Sequence, residues 1–210
     1  MKERFALSAL ALACACGAPQ PAAPNSQAHT PHPATVSRAQ AFEAVLQIEA
    51  KPGEKRLQGV WLERADGQRW IIAYRAEPCW RPFAGRRVRA RGETYQPEGQ
   101  AVLATHFRVR ALELVDPKAE PMAELIALGD EQVLSGSFQQ MTWPAGSKLE
   151  GESQLVFERS DGTRYFLSGV PQAAPAAGQR VEVRAREATP SPYMAHPGGP
   201  HLFVLEVLRN

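Results

Sequence analysis

The sequence predicts an all-β protein of two tandem five-stranded small barrels, joined by a short helix and preceded by a disordered N-terminal tether. Three observations predict it. The segment Glu63-Arg64-Ala65-Asp66-Gly67-Gln68-Arg69-Trp70-Ile71-Ile72 returns as Glu158-Arg159-Ser160-Asp161-Gly162-Thr163-Arg164-Tyr165-Phe166-Leu167, so the chain repeats itself. Apolar and polar residues alternate at period two through much of both copies, as half-buried strands require. The 210 residues include 18 prolines and 16 glycines, a composition that favours turns over long helices.

The chain opens with Lys2 and Arg4, an apolar run from Phe5 to Ala13, and small residues around two cysteines. A positive start, a short apolar centre and a small-residue exit describe a secretory signal peptide over residues 1–15. No later stretch approaches the ~20 apolar residues of a transmembrane helix, so a location outside the cytoplasm is expected. Ala13-Cys14-Ala15-Cys16-Gly17 resembles the lipobox of bacterial lipoproteins, in which small residues precede a lipid-modified cysteine. The resemblance implies lipid at Cys16, with Cys14 as the alternative. It implies a cell-envelope protein anchored in the membrane and facing the periplasm or the exterior. Cleavage after Ala13-Cys14-Ala15 as an ordinary Ala-x-Ala site would instead give a soluble periplasmic or secreted protein. Residues 16–38 are mostly Pro, Ala, Ser, Asn and His with no apolar period, as expected of a tether that cannot bury enough surface to order itself. His29 and His32 lie there without the further ligands that a metal ion requires.

Residues 39–116 form the first module. Phe42, Ala44, Leu46 and Ile48 alternate along strand one, and Pro52-Gly53 turns the chain. Strand two covers about Leu57 to Arg64, with Val60 and Leu62 on one face and Trp61 on the other. Asp66-Gly67 predicts a two-residue hairpin turn. Trp70, Ile72 and Tyr74 alternate along strand three, and a proline-marked connector, 76–84, carries Cys79, Trp80 and Phe83. Strand four is Gly85 to Gly92 and strand five about His106 to Val115.

Residues 117–130 form a linker whose stretch from Ala119 to Leu128, with Pro121 near its start, predicts a short helix. Residues 131–210 repeat the first plan. Strand one runs from Val133 to Gln140 and is followed by the turn Trp143-Pro144-Ala145-Gly146. Two strands flank Asp161-Gly162; Gly178 to Arg184 matches strand four and His201 to Leu208 strand five. Three meandering strands, a connector and two more strands resemble the oligonucleotide/oligosaccharide-binding (OB) fold, a five-stranded Greek-key barrel. The likeness covers about 42–115 and 131–209 and rests on strand order and the Gly-x-Arg-Val pattern of strand four. An SH3-like barrel, or one barrel shared by both repeats, is the alternative.

The two modules differ in charge. Residues 42–115 hold thirteen Lys/Arg against nine Asp/Glu, a net of +4, whereas 131–210 hold seven against eight, a net of −1. The excess gathers on strand four, where Arg87, Arg89 and Arg91 alternate with Val88 and Ala90 and so share one face. With Trp61 or Trp80 beside them they would form a stacking-plus-charge surface, and these five are the candidate ligand-binding residues. Arginines alternating with apolar residues equally describe any strand buried on one face and ion-paired on the other. An extracytoplasmic location argues against nucleic acid. It favours the membrane, through the lipid, and an anionic envelope glycan, peptide or protein as partners. His106 and His201 occupy matching places at the start of the fifth strands, which favours a fold-making hydrogen bond. Met194, His196 and His201 offer soft ligands for copper but not a full set, so no metal or other cofactor is expected. The alternative function is a soluble periplasmic ligand- or metal-binding protein using this loop.

The sequence holds no Gly-x-Ser-x-Gly elbow, no His-Glu-x-x-His pair and no phosphate-binding glycine loop. Cys79 stands between prolines without helix N-terminal activation and has no counterpart in the second module. The expected function is therefore non-enzymatic: a lipoprotein that binds or scaffolds through a barrel face.

Overall fold

The computed structural model describes residues 39–49, 59–99, 102–169 and 176–209. The signal peptide, Cys14, Cys16, the tether with His29 and His32, and the Pro52-Gly53 turn lie outside these residues. In chain order the strands are β1 (Ala39–Ile48), β2 (Val60–Glu63), β3 (Arg69–Ala73), β4 (Arg87–Tyr95) and β5 (Thr105–Leu114). They continue as β6 (Leu125–Thr142), β7 (Ser153–Arg159), β8 (Arg164–Gly169), β9 (Arg180–Pro190) and β10 (His201–Arg209). Single 3-10 turns stand at Pro78–Phe83 and Pro117–Ala119.

The first five strands close into a barrel. β1 pairs antiparallel with β2 and with β4, β2 with β3, and β4 with β5, while β3 lies parallel to β5 through Trp70↔Thr105 and Ile71↔His106. The further strands pair in the order β6–β7–β8–β10–β9, again with a parallel pairing, here of β10 on β8 from His201↔Phe166 to Phe203↔Gly169. β9 lies back along β6 from Leu125↔Pro190 to Ser137↔Arg180. A short β5–β6 pairing, Leu112↔Leu128 and Glu113↔Ala127, joins both sets into one ten-stranded sheet.

Both Asp-Gly segments make hairpins, but with three-residue loops rather than two-residue turns. Arg64 N–H donates to the Gln68 carbonyl at 2.9 Å, and Arg159 N–H to that of Thr163 at 2.8 Å. Gly67 (φ +79°) and Gly162 (φ +86°) take the left-handed place that closes a type I turn with a bulge. Each aspartate side chain accepts the backbone N–H two residues on, Asp66 from Gln68 and Asp161 from Thr163.

The helix expected over 119–128 is absent. Pro117–Ala119 makes a 3-10 turn capped by the Asp116 carboxylate, a further turn closes through Ala123 N–H to the Glu120 carbonyl, and Leu125–Leu128 opens the 18-residue β6. Leu125 and Leu128 are buried in the core and paired with neighbouring strands, so partners distant in sequence override local propensity. The second set of strands therefore begins inside the expected linker.

Two apolar cores result. One centres on Leu46, Leu62, Val88, Phe107 and Leu112 and draws in Leu125, Leu128, Ala188 and Phe203 from the later strands. The other centres on Phe138, Phe157, Val183 and Leu202. The Pro78–Phe83 turn sits at the junction, burying Cys79, Trp80 and Phe83. Behind it, Arg186 of β9 is 5% exposed and lays its guanidinium 5.0 Å from the Trp80 ring centre. That guanidinium donates to the carbonyls of Gly129 (2.8 Å) and Val109 (3.3 Å) and meets Glu131 at 3.4 Å.

Candidate functional site

Alternation along β4 places Arg87, Arg89 and Arg91 outward and Val88 and Ala90 inward. The arginines are exposed, yet each already meets a carboxylate. Glu43 of β1 accepts from Arg87 at 3.0 Å and Arg89 at 3.1 Å, and Glu113 of β5 accepts from Arg91. Farther along, Glu93 bridges Arg108 (3.4 Å) and Arg110 (2.9 Å), and Arg110 also reaches Asp130 at 2.8 Å. The Arg89 guanidinium foremost, with that of Arg87, holds Glu43 below the usual carboxylate range against the opposing effect of burial. Hydrogen bonds to Asp130 and then Glu93 push Arg110 above its ordinary value. Five guanidinium groups thus face four carboxylates, an ion-pair lattice with little charge left for a ligand.

The tryptophans do not join that face. Trp61 is 8% exposed, under the Arg69 guanidinium at 4.8 Å, and Trp80 is 2% exposed in the junction core. The connector that carries Trp80 folds inward as a 3-10 turn because Cys79, Trp80 and Phe83 all fall on its buried side. The stacking-plus-charge surface expected of Trp61 or Trp80 with Arg87, Arg89 and Arg91 is therefore not assembled. Tyr95 carries Arg108 at 5.2 Å from its ring centre, and Phe107 is fully buried.

The matched histidines are buried and bonded. His106 Nε2 lies 2.5 Å from the Tyr74 hydroxyl. His201 Nε2 donates to the Pro197 carbonyl at 2.9 Å, which leaves Nδ1 to accept from the Ser168 hydroxyl at 3.2 Å. With both nitrogens of His201 engaged, Met194 and His196 cannot complete a copper site with it. No group of three His, Cys, Asp or Glu side chains able to hold a metal ion occurs among the described residues. Burial foremost, then the Glu77 charge, pushes the Cys79 thiol up to about 12, so it is no thiolate nucleophile at neutral pH.

A larger concavity than the hollow beside Glu43 and Arg87 lies elsewhere. Two loops at one end of the later strands, 143–152 after β6 and 191–200 after β9, face each other across a groove of about 540 Å³. Trp143, Lys148, Leu149, Gln154, His196 and Pro197 line it. An adjoining hollow of about 200 Å³ shares Gln154, His196 and Pro197 and runs toward Met194 and His201. Trp143 is half-buried and stacks on Phe166, ring centres 5.9 Å apart and planes 4° from parallel. Phe166 in turn packs on His201, and His201 edge-on to His196. His196 Nδ1 donates to the Pro197 carbonyl at 3.0 Å, which leaves Nε2 as an exposed acceptor.

Both loops hold their own shape. Trp143 N–H donates to the Glu152 carbonyl at 3.0 Å, and Glu150 accepts the Gly146 N–H at 2.8 Å. Ser191 N–H is tied to the Glu124 carbonyl at 3.0 Å, and Phe166 N–H to that of Pro200 at 2.9 Å. Ser147 Oγ is buried at the groove and has no hydrogen-bond partner. Reading Trp143-Pro144-Ala145-Gly146 as a turn overlooks this site. The usable signal was a tryptophan in a turn, where a large ring left outside the strands needs a reason.

No protein-family model matches the chain, and comparison with curated proteins and with solved structures gives no match.

Proposed function

We propose that the chain is a non-enzymatic envelope lipoprotein, exported by its N-terminal signal and anchored through Cys16, that binds an oligosaccharide in the Trp143 groove. In this reading the two sets of strands are OB-like barrels related by internal duplication. The pairings support it. Val45↔Glu63 and Val45↔Arg87 in the first set correspond to Ser137↔Glu158 and Ser137↔Arg180 in the second. In each set a histidine near the start of the last strand lies beside the parallel contact.

OB barrels take extended ligands between the loop joining strands one and two and the loop joining strands four and five. In the second set these are 143–152 and 191–200, the walls of the groove. The observation that carries the proposal is Trp143, backed by Phe166 and half-buried there, beside a buried Ser147 hydroxyl without a partner. An aromatic plane suits the C–H face of a sugar ring, and Gln154, His196 and Ser147 suit its hydroxyls. Among the described residues, Lys148 is the only Lys or Arg lining the groove, with no run of cations there to follow a phosphate backbone. A neutral glycan fits better than a nucleic acid.

Tryptophan emission tests the proposal. Of the four tryptophans, Trp61, Trp70 and Trp80 are buried, so a groove ligand acts on Trp143. Titration with chitotetraose is expected to change the emission of the full chain and of an Arg87/Arg89/Arg91→Ala variant, but not of Trp143→Ala. An unresponsive wild type, or an undiminished response in Trp143→Ala, would refute groove binding. Palmitate labelling tests the anchor: label should vanish in Cys16→Ser, and loss only in Cys14→Ser would move the lipid there.

A further inference from the structure

The outward surface beside the 159–163 hairpin, at the opposite end of β7 from the groove, contains a second hollow of about 480 Å³. It is lined by Ser135, Ser137, Glu158, Arg159, Ser160 and Arg180, with Glu182 at its side. The corresponding place in the first set is a smaller hollow of about 260 Å³, lined by Glu43, Val45, Glu63, Arg64, Ala65 and Arg87. Strand register matches the two residue by residue. Val45 faces Arg87 as Ser137 faces Arg180, and Glu43 faces Arg89 as Ser135 faces Glu182.

The difference is an ion pair: Glu43 and the Arg89 that it faces are replaced by Ser135 and Glu182, which leaves Arg180, at the place of Arg87, as the cation of that row. In the first set the Glu43 carboxylate sits between Arg87 and Arg89 and accepts from both. In the second set that glutamate is Ser135, and the hollow is larger. Arg159 is paired with Asp161 at 3.3 Å, Glu158 with Arg164 at 2.7 Å, and Glu182 is itself engaged. Arg180 is exposed and has no ion-pair partner among the described residues. Three hydroxyls, from Ser135, Ser137 and Ser160, line the same space.

We infer that this hollow binds an acidic sugar. The sugar carboxylate takes the place that Glu43 fills in the first set and pairs with Arg180, while its ring hydroxyls meet the serines and Glu158. Arginine matches a planar carboxylate through paired N–H donors, and serine and glutamate supply the donors and acceptors that a polyol needs. The volume falls within the usual range of small-ligand pockets. The site is separate from the Trp143 groove and does not depend on it.

The test is an amide-shift titration of the full chain with glucuronate, glucose and inorganic phosphate. Glucuronate is expected to bind at millimolar strength, as suits a small ligand in an exposed hollow, and to shift Ser135, Gly162 and Arg180. Glucose and phosphate should bind at least about tenfold more weakly, each lacking half of the contacts. Arg180→Ala should weaken glucuronate about tenfold. Ser135→Glu, which restores the internal carboxylate, should abolish its binding while leaving the chitotetraose response at Trp143 intact. No glucuronate shifts at these residues, equal binding of glucose or phosphate, or full binding by both variants would overturn the inference.

Discussion

At the scale of single residues, the polar groups that matter most to folding are the buried ones. Arg186 is held by two backbone carbonyls, Glu131 and the Trp80 ring at the junction of the two strand sets. Arg186→Ala leaves those acceptors without their cation, and a loss of about 3–5 kcal/mol in denaturant unfolding is expected. A loss below about 1 kcal/mol would show the arginine to be incidental. Arg184, beside it, is more open: burial works to lower its pKa, but hydrogen bonds to Glu131 and Glu77 reverse this and push it above its ordinary value. Cys79 behaves oppositely. Its folded thiol keeps the proton to about 12, whereas an unfolded thiol releases it near the ordinary 9.0. The folded pKa is raised, so this contribution is intact below about pH 9 and declines as pH rises toward 12. Cys79→Ala should flatten that decline, measured as unfolding midpoints from pH 8 to 11, where about 8 is the lower bound set by an ordinary thiol. The same burial should keep Cys79 unreactive toward a disulfide reagent at neutral pH until the chain unfolds.

At the scale of elements, the pairing of β4 with β5 carries a local irregularity, an extra residue on β5 at Arg110. The register of β4 on β5 slips between Arg91 and Gly92, and a Cβ at Gly92 would fall 1.9 Å from the Arg108 carbonyl oxygen. Gly92→Ala must therefore push β4 and β5 apart, at an expected cost of about 1–3 kcal/mol. Arg89→Ala, on the same strand but facing solvent, is expected to stay within about 0.5 kcal/mol. Equal effects would contradict the close approach. Strand four and the Asp-Gly hairpins were legible in the sequence because their signals are local: alternation fixes the face, and Asp-Gly fixes the reversal. Leu125–Leu128 was not legible as strand, since its partners Leu112 and Ala188 lie far away in sequence. Trp80 was misread for a related reason. Whether an aromatic in a proline-marked connector faces solvent or core depends on what packs over it, here Arg186 from β9. Trp143 gave no periodic signal at all, and only the facing loop 191–200 turns it into the wall of a groove.

At the scale of the whole molecule, the described strands form one body. Phe203, Ala188, Leu125 and Leu128 complete the core of the first barrel, and Arg184 ties Glu77 to Glu131 and Glu206 across the junction. Thermal unfolding should therefore show a single transition by both tryptophan emission and circular dichroism, and two separated transitions would contradict the shared core. The first barrel and the further strands share this core, and the proposed binding site is the groove at the end that carries Trp143. The most direct measurement is an amide-shift map of the full chain titrated with chitotetraose. Shifts confined to 143–154 and 191–201, and lost in Trp143→Ala, are the expected result; shifts centred on Arg87, Arg89 and Arg91, or none at all, would contradict the assignment.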